Sequence, residues 1–89
     1  MSGENTKVGI YTAPVCPYCV RAKRLLAERG IEFHEIDVSA DAGQRARMVE
    51  TSGRRTVPQV FIGGRPVGGY DELAALDRSG QLTALLNED

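Results

Sequence analysis

Val8-Gly9-Ile10-Tyr11-Thr12-Ala13-Pro14-Val15-Cys16-Pro17-Tyr18-Cys19 sets a short β-prone run against a pair of cysteines, with a proline-bearing loop between them. Residues 7–12 predict a strand, and Ala13-Pro14-Val15 its exit loop. From Pro17 onward Ala22, Leu25, Leu26 and Arg29 recur at helical spacing with charges on the opposite face. Gly30 stands where a helix C-terminus takes a left-handed residue, so residues 17–29 read as the first helix. The cysteines open it. Cys16 falls at the N-cap, Pro17 at the first helical position where its missing N–H costs nothing, and Cys19 about one turn further in. Residues three apart share a helix face with Cβ atoms about 5–6 Å apart, which brings the sulfurs within disulfide reach. The free N–H groups and positive end of the helix dipole favour thiolate over thiol, so the Cys16 pKa is expected below the free-cysteine value. On this reading Cys16 is the nucleophile. Cys19, deeper and with fewer free donors around it, is the resolving thiol that attacks Cys16 once a mixed disulfide has formed.

These are the only two cysteines, and a bond between them closes almost no loop, so it contributes little to folding. Its use lies in chemistry. A structural zinc site needs four protein ligands, and beyond the pair the only other soft candidate is His34, so no metal site is expected. His34 itself, on a predicted strand well away in sequence, reads as a surface or core residue rather than a catalytic base.

Outward from the dithiol, residues 31–38 predict a second strand with Phe33, Ile36 and Val38 as core contacts. Asp41 with Gln44 three positions on resembles a capping box. It opens a second helix whose inward residues are expected to be Ala42, Arg45 by its stem, Met48 and Val49, closing at Gly53. Gln59-Val60-Phe61-Ile62, Gly63-Gly64 and Arg65-Pro66-Val67 read as a hairpin, because paired glycines allow the positive φ angles of a tight two-residue turn. Pro66, with no N–H to donate, suits an edge strand. Leu73 and Leu76 belong to a third helix, Gly80 breaks it, and Leu82, Leu85 and Leu86 form a last helical turn or two. The order is β-α-β-α-β-β-α-α. Strands separated by helices are expected to run parallel through right-handed crossovers, with the hairpin adding one antiparallel strand. The fold class is thus α/β, a four-stranded mixed sheet with helices on both faces in a thioredoxin-like architecture, its dithiol where open α/β sheets take ligands.

Eighty-nine residues with 42% hydrophobic and 26% charged side chains suit one domain over residues 1–89, the polar first six expected to be mobile. Eleven Lys and Arg against twelve Asp and Glu give a net charge of -1, which lacks the cationic field that nucleic acid would want. The longest apolar run, Leu73-Ala74-Ala75-Leu76, is far short of a membrane span, and the start carries no signal-peptide core. A cytoplasmic protein is expected, with neither nucleic acid nor membrane as a partner.

Two further segments bear on the dithiol. Thr56-Val57-Pro58 precedes the third strand, and by itself marks either a loop boundary or a special backbone. Beside a dithiol it suggests a cis Val57-Pro58 bond that leaves the Val57 N–H and C=O free to pair with an extended peptide. Gly68-Gly69-Tyr70-Asp71 opens the third helix. Asp71 either offsets the helix dipole or holds an ammonium, while the glycines admit a ligand's backbone and the Tyr70 and Asp71 N–H groups can receive a carboxylate. A γ-glutamyl group carries both of those charges.

Cys16-Pro17-Tyr18-Cys19, Thr56-Val57-Pro58 and Gly68-Gly69-Tyr70-Asp71 together resemble the three signature segments of a dithiol glutaredoxin, in order and with similar spacing. Arg21-Ala22-Lys23 and Pro58-Gln59-Val60-Phe61-Ile62 are most similar to the bacterial members. The resemblance implies a monomeric enzyme that reduces protein disulfides and glutathione mixed disulfides, with glutathione as reducing co-substrate and no permanently bound cofactor. It implies that Val57, flanked by Thr56 and Pro58, pairs with the cysteinyl backbone of glutathione. Gly69, Tyr70 and Asp71 then hold its γ-glutamyl end, and Tyr18 flanks the sulfur. Where the family commonly carries a lysine before the first cysteine, this chain has Ala13. Arg45 stands where relatives place Arg or Gln for the glycyl carboxylate, with Arg54 or Arg55 as other candidates and solvated surface as the alternative. Ala13 keeps open a carrier recharged by thioredoxin reductase. A third reading is a dimer holding a [2Fe-2S] cluster through two Cys16 thiolates and two glutathiones, against which Pro17 argues, because cluster-binding relatives more often have Gly or Ser there.

Overall fold

A computed structural model describes residues 7–87, so the expectation of mobility for residues 1–6 lies outside it. The elements are β1 (Val8–Thr12), α1 (Pro17–Glu28), β2 (Phe33–Asp37), α2 (Ala42–Ser52), β3 (Gln59–Ile62), β4 (Arg65–Gly68), α3 (Tyr70–Ser79) and α4 (Gln81–Leu86). Their order is the one expected. Helices end where glycine permits the left-handed turn: Gly30, Gly53 and Gly80 have φ of 70°, 75° and 82°. Gly63 and Gly64 are positive as well, at 59° and 83°, and close the β3–β4 hairpin.

The sheet order is β2-β1-β3-β4, with Pro66 on edge strand β4. β1 pairs with β2 in parallel, Val8 opposite Phe33 and Thr12 opposite Asp37. The expected parallel run of β3 is corrected, since β3 lies antiparallel to β1, Val8 facing Ile62 and Tyr11 facing Gln59. A parallel return needs the intervening helix to carry the chain back along the sheet. Instead, the segment after α2 brings Val57 to the C-terminal end of β1, where its carbonyl oxygen lies 3.9 Å from Cys16 Sγ, and β3 starts from there in the opposite sense.

Alternation along the strands divides the core between the two faces of the sheet. Val8, Ile10, Val60 and Ile62 pack with Ala22 and Leu26 of α1, Leu73 of α3 and Leu82 of α4. Tyr11 packs on the other face with Val38 and with Met48 of α2, its ring 5.4 Å from Phe61 in an edge-on contact. Three helices therefore cover one face and α2 the other, a thioredoxin-like arrangement. Ile10, Leu26 and Leu73 are fully buried, and truncating any of them to alanine costs about 2–5 kcal/mol through lost transfer energy and a residual cavity. The expected inner face of α2 holds only in part. Met48 is buried and Val49 half-buried, but Ala42 and Arg45 are exposed, because only the C-terminal half of the helix reaches the sheet. Phe33 and Ile36 are half-buried for a related reason: β2 is an edge strand, with Val38 just beyond it fully inside.

Candidate active site

The loop from β1 delivers Cys16 to the N-cap of α1, with extended backbone (φ -128°, ψ 98°) and Pro17 in the first turn. Its sulfur accepts a hydrogen bond from the Cys19 N–H at 3.1 Å, as an N-cap side chain does for a helix donor left without an intrahelical partner. Cys16 and Cys19 are joined as a disulfide with Cα atoms 5.2 Å apart. Their environments differ. Cys16 is half-buried and reachable from solvent, whereas Cys19 is only 2% exposed. α1 has no acidic residue in its first turn, so its positive end is opposed by no carboxylate of its own.

Immediately before the sulfur, Val15 has φ of 55° and is 100% exposed. A β-branched residue in the left-handed region is strained, and here the strain lies in the loop that sets the Cys16 sulfur at the helix mouth. Val15, Tyr18 at 53% and Val20 at 50% are the exposed large apolar side chains among the described residues, and all three surround the dithiol.

A cavity of about 290 Å³ opens beside the sulfurs. Tyr18, Thr56, Val57, Pro58, Gly69, Tyr70 and Asp71 all line it, so three segments far apart in sequence are gathered on one side of Cys16. The Val57-Pro58 bond is cis, as expected. The Val57 carbonyl lies against Cys16 Sγ at 3.9 Å, which places this segment directly beside the dithiol. Thr56 accepts from Gln59 Nε2 through its carbonyl at 3.0 Å and its hydroxyl at 3.3 Å, which ties this wall to β3. The rings of Tyr18 and Tyr70 stand 6.2 Å apart across the mouth, and the Arg21 guanidinium lies 5.3 Å over the Tyr18 ring.

The far wall is the start of α3. Gly69 is its N-cap, and the Gly69 N–H donates to Glu72 Oε1 at 2.8 Å, the return half of a capping box. That hydrogen bond first, then the Glu72 N–H and the nearby Arg54, hold the Glu72 carboxyl below the usual glutamate range. Gly68 has φ of 113°, and a Cβ there would sit 2.8 Å from Glu72 Cγ, so glycine is required both by conformation and by the close approach of Glu72. Asp71 is exposed and lines the cavity.

Arg45 is not part of this cavity. Its guanidinium donates to the Arg55 carbonyl at 3.1 Å and lines a separate depression on α2. Arg54 does line the cavity, held by Glu72 at 3.5 Å. Glu72 and Gln59 also line it and were missed from sequence; the spacing Gly69-x-x-Glu72 is a capping-box pattern that could have revealed the first. A second network, also missed, backs the dithiol loop: the buried Thr12 hydroxyl donates to Glu35 Oε2 at 2.8 Å, and Lys23 pairs with the same oxygen at 2.9 Å. Lys23 first, and Thr12 after it, keep the Glu35 carboxyl below its ordinary range.

Such a pair, with one sulfur reachable and the other buried, can be attacked at Cys16 by an external thiol when oxidised and can attack an external disulfide through the Cys16 thiolate when reduced. Known proteins point the same way. The glutaredoxin family model matches residues 8–67. Glutaredoxin 3 of Escherichia coli is 49% identical over 79 residues, covering 89% of this chain and 95% of that protein. The solution structure of glutaredoxin from Brucella melitensis is 58% identical, with a TM-score of 0.80 over 91% of this chain and 88% of that one. A buckwheat glutaredoxin-glutathione complex is 30% identical, with a TM-score of 0.84 over 92% and 77% of the two chains. Matched along most of its length by family, relatives and fold, and carrying the Cys16-Cys19 pair at its helix mouth, the chain belongs to the glutaredoxin family of thiol-disulfide oxidoreductases.

Proposed function

We propose that the protein, acting as a single-domain monomer in the cytoplasm, uses glutathione to reduce protein disulfides and glutathione mixed disulfides. The observation that carries this reading is the cavity beside Cys16, where Val57, Tyr70 and Asp71 converge. The match to a glutaredoxin solved with glutathione supports the same ligand here. In the reaction the Cys16 thiolate attacks a substrate disulfide and expels one substrate thiolate, which takes up a proton. The Cys19 thiolate then attacks Cys16 Sγ, releasing the second substrate thiolate and leaving the Cys16-Cys19 disulfide seen in the structure. Two glutathiones restore the dithiol and leave as glutathione disulfide. For a glutathionylated protein Cys16 alone suffices, since it accepts the glutathionyl group and a second glutathione removes it.

Glutathione lies with its cysteinyl backbone along Val57 and its γ-glutamyl end at the start of α3. There the Tyr70 and Asp71 N–H groups meet the carboxylate and the Asp71 side chain meets the ammonium. Ala13 supplies no cation, and Arg54 is the guanidinium in the cavity. The test sets the two electron donors side by side. Glutathione with glutathione reductase should turn the protein over on a mixed disulfide, and thioredoxin reductase should be the poorer donor. Asp71→Ala should raise the glutathione KM by about three- to tenfold, the scale of one partly solvated charge-assisted contact. Efficient reduction by thioredoxin reductase without turnover by glutathione would replace this reading with that of a thioredoxin-reductase-linked carrier.

A further inference from the structure

A second groove of about 420 Å³ runs between α1 and α3 on the side of Tyr70 away from the glutathione cavity. Its charge is concentrated: Arg21, Arg24, Arg29 and Arg78 line it against Glu28 and Asp77, in a chain whose net charge is -1. Arg29 and Asp77 cancel one another. Their two parallel contacts, Nε to Oδ1 at 2.8 Å and Nη2 to Oδ2 at 2.9 Å, form a fork that closes the far end. Three guanidiniums then face one carboxylate, and Arg24 has no hydrogen bond or ion pair among the described residues. An excess of clustered cations opposes the compact state by self-repulsion, so fold stability does not explain that excess.

The groove adjoins the cavity beside the dithiol. Tyr70 lines both cavities, Arg21 stacks on the Tyr18 ring, and the half-exposed Val20 lies on α1 one turn before Arg24. From Cys16 to Arg24 the helix rises roughly 12 Å, which an extended chain covers in about three to five residues. We propose that this groove docks carboxylates of the polypeptide being reduced, an acidic stretch placed about three to five residues from its reacting cysteine. The inference rests on disulfide reduction as proposed above and adds the class of protein substrate. The thiol exchange itself is unchanged. Docking raises the rate of encounter and holds the substrate sulfur at Cys16, by attraction that salt screens.

The test uses prereduced protein without glutathione, in single turnover against two disulfide peptides that differ only in an Asp-Glu or an Asn-Gln pair four residues from the cysteine. At low salt the acidic peptide should react about tenfold faster, and the advantage should shrink toward unity in about 0.5 M salt. An Arg24→Gln, Arg78→Gln double variant should lose that advantage while its rate on the neutral peptide stays the same. Equal rates for both peptides in the unmodified protein would overturn the proposal, as would an acidic preference that survives in the double variant. Because no glutathione is present, neither result depends on the donor experiment above.

Discussion

Two helix N-termini face the same cavity, and the chain treats them in opposite ways. α1 begins with a sulfur as its N-cap, a proline and no acidic residue in the first turn. α3 begins with a glycine N-cap and carries both Asp71 and Glu72 in its first turn, the second folded back onto the Gly69 N–H. At α3 the Gly69 N–H is thus answered from within, and the wall that remains pairs the Tyr70 and Asp71 N–H groups with an exposed carboxylate. The end of α1 is left for whatever charge forms on Cys16. A helix N-terminus by itself specifies neither catalysis nor recognition. The assignment comes from which side chains are given to it.

The largest effect should come from removing the group given to α1. Cys16→Ser is expected to lower every reductase activity by about a thousandfold or more, because the remaining thiol, Cys19, is buried out of reach of a substrate disulfide. Cys19→Ser should lose reduction of protein disulfides and retain removal of glutathione from glutathionylated proteins. Steady-state assays on the two substrate classes distinguish these outcomes, and the reverse pattern would exchange the roles of the thiols.

At the other helix the corresponding disruption is Gly68→Ala. Its Cβ would meet Glu72 and hold a non-glycine residue at φ of 113°, so the variant should lose about 1–3 kcal/mol in denaturant unfolding. Because Glu72 must move, the wall holding Asp71 should shift and glutathione KM should rise. A normal stability would show that the turn relaxes without strain.

This wall also marks where the sequence was hard to read. The dithiol, the cis proline segment and the glycine pair were legible because each is a local pattern with a backbone consequence, and Gly30, Gly53 and Gly80 placed three helix ends. The sense of β3 was not. It depends on where six residues after α2 take the chain, and no periodicity encodes that direction. Arg45 looked inward by helical spacing, but an 11-residue helix that packs only through Met48 and its neighbours leaves the first turn in solvent. The Thr12-Glu35-Lys23 network joins three elements and has no local signature.

Glu72→Gln tests the internal compensation of α3 on a smaller scale. The carboxyl is held below its usual range by the Gly69 N–H, its own N–H and Arg54, so its charge stabilises the fold above the unfolded-state pKa. That contribution is lost as pH falls through the lowered folded value. Glutamine keeps the acceptor and removes the charge, so the variant should be less stable at neutral pH by about 0.3–1 kcal/mol. In acid, where the parent carboxyl is also neutral, the two proteins should converge. A constant difference in unfolding midpoint at all pH values would assign the effect to packing rather than charge.

The last prediction gives α1 the kind of residue that α3 already has. Pro17 is exposed at the first helical position, so a side chain there projects into solvent close to Cys16 without entering the core. Pro17→Glu and Pro17→Gln both remove the proline and differ only in charge, which isolates the electrostatic part. In a Cys19→Ser background one thiol remains, and its alkylation rate against pH reports the Cys16 titration. A carboxylate in the first helical turn is worth about 0.3–1 kcal/mol against the dipole, or roughly 0.2–0.7 of a pH unit. The same carboxylate opposes a neighbouring thiolate by a similar amount. Cys16 should therefore titrate higher in the glutamate variant than in the glutamine variant, with the gap narrowing in salt. Identical midpoints would mean that charge placed at the mouth of α1 does not reach the thiolate. The contrast between the two helix mouths would then rest on the shape of the cavity and on the N–H groups that line it.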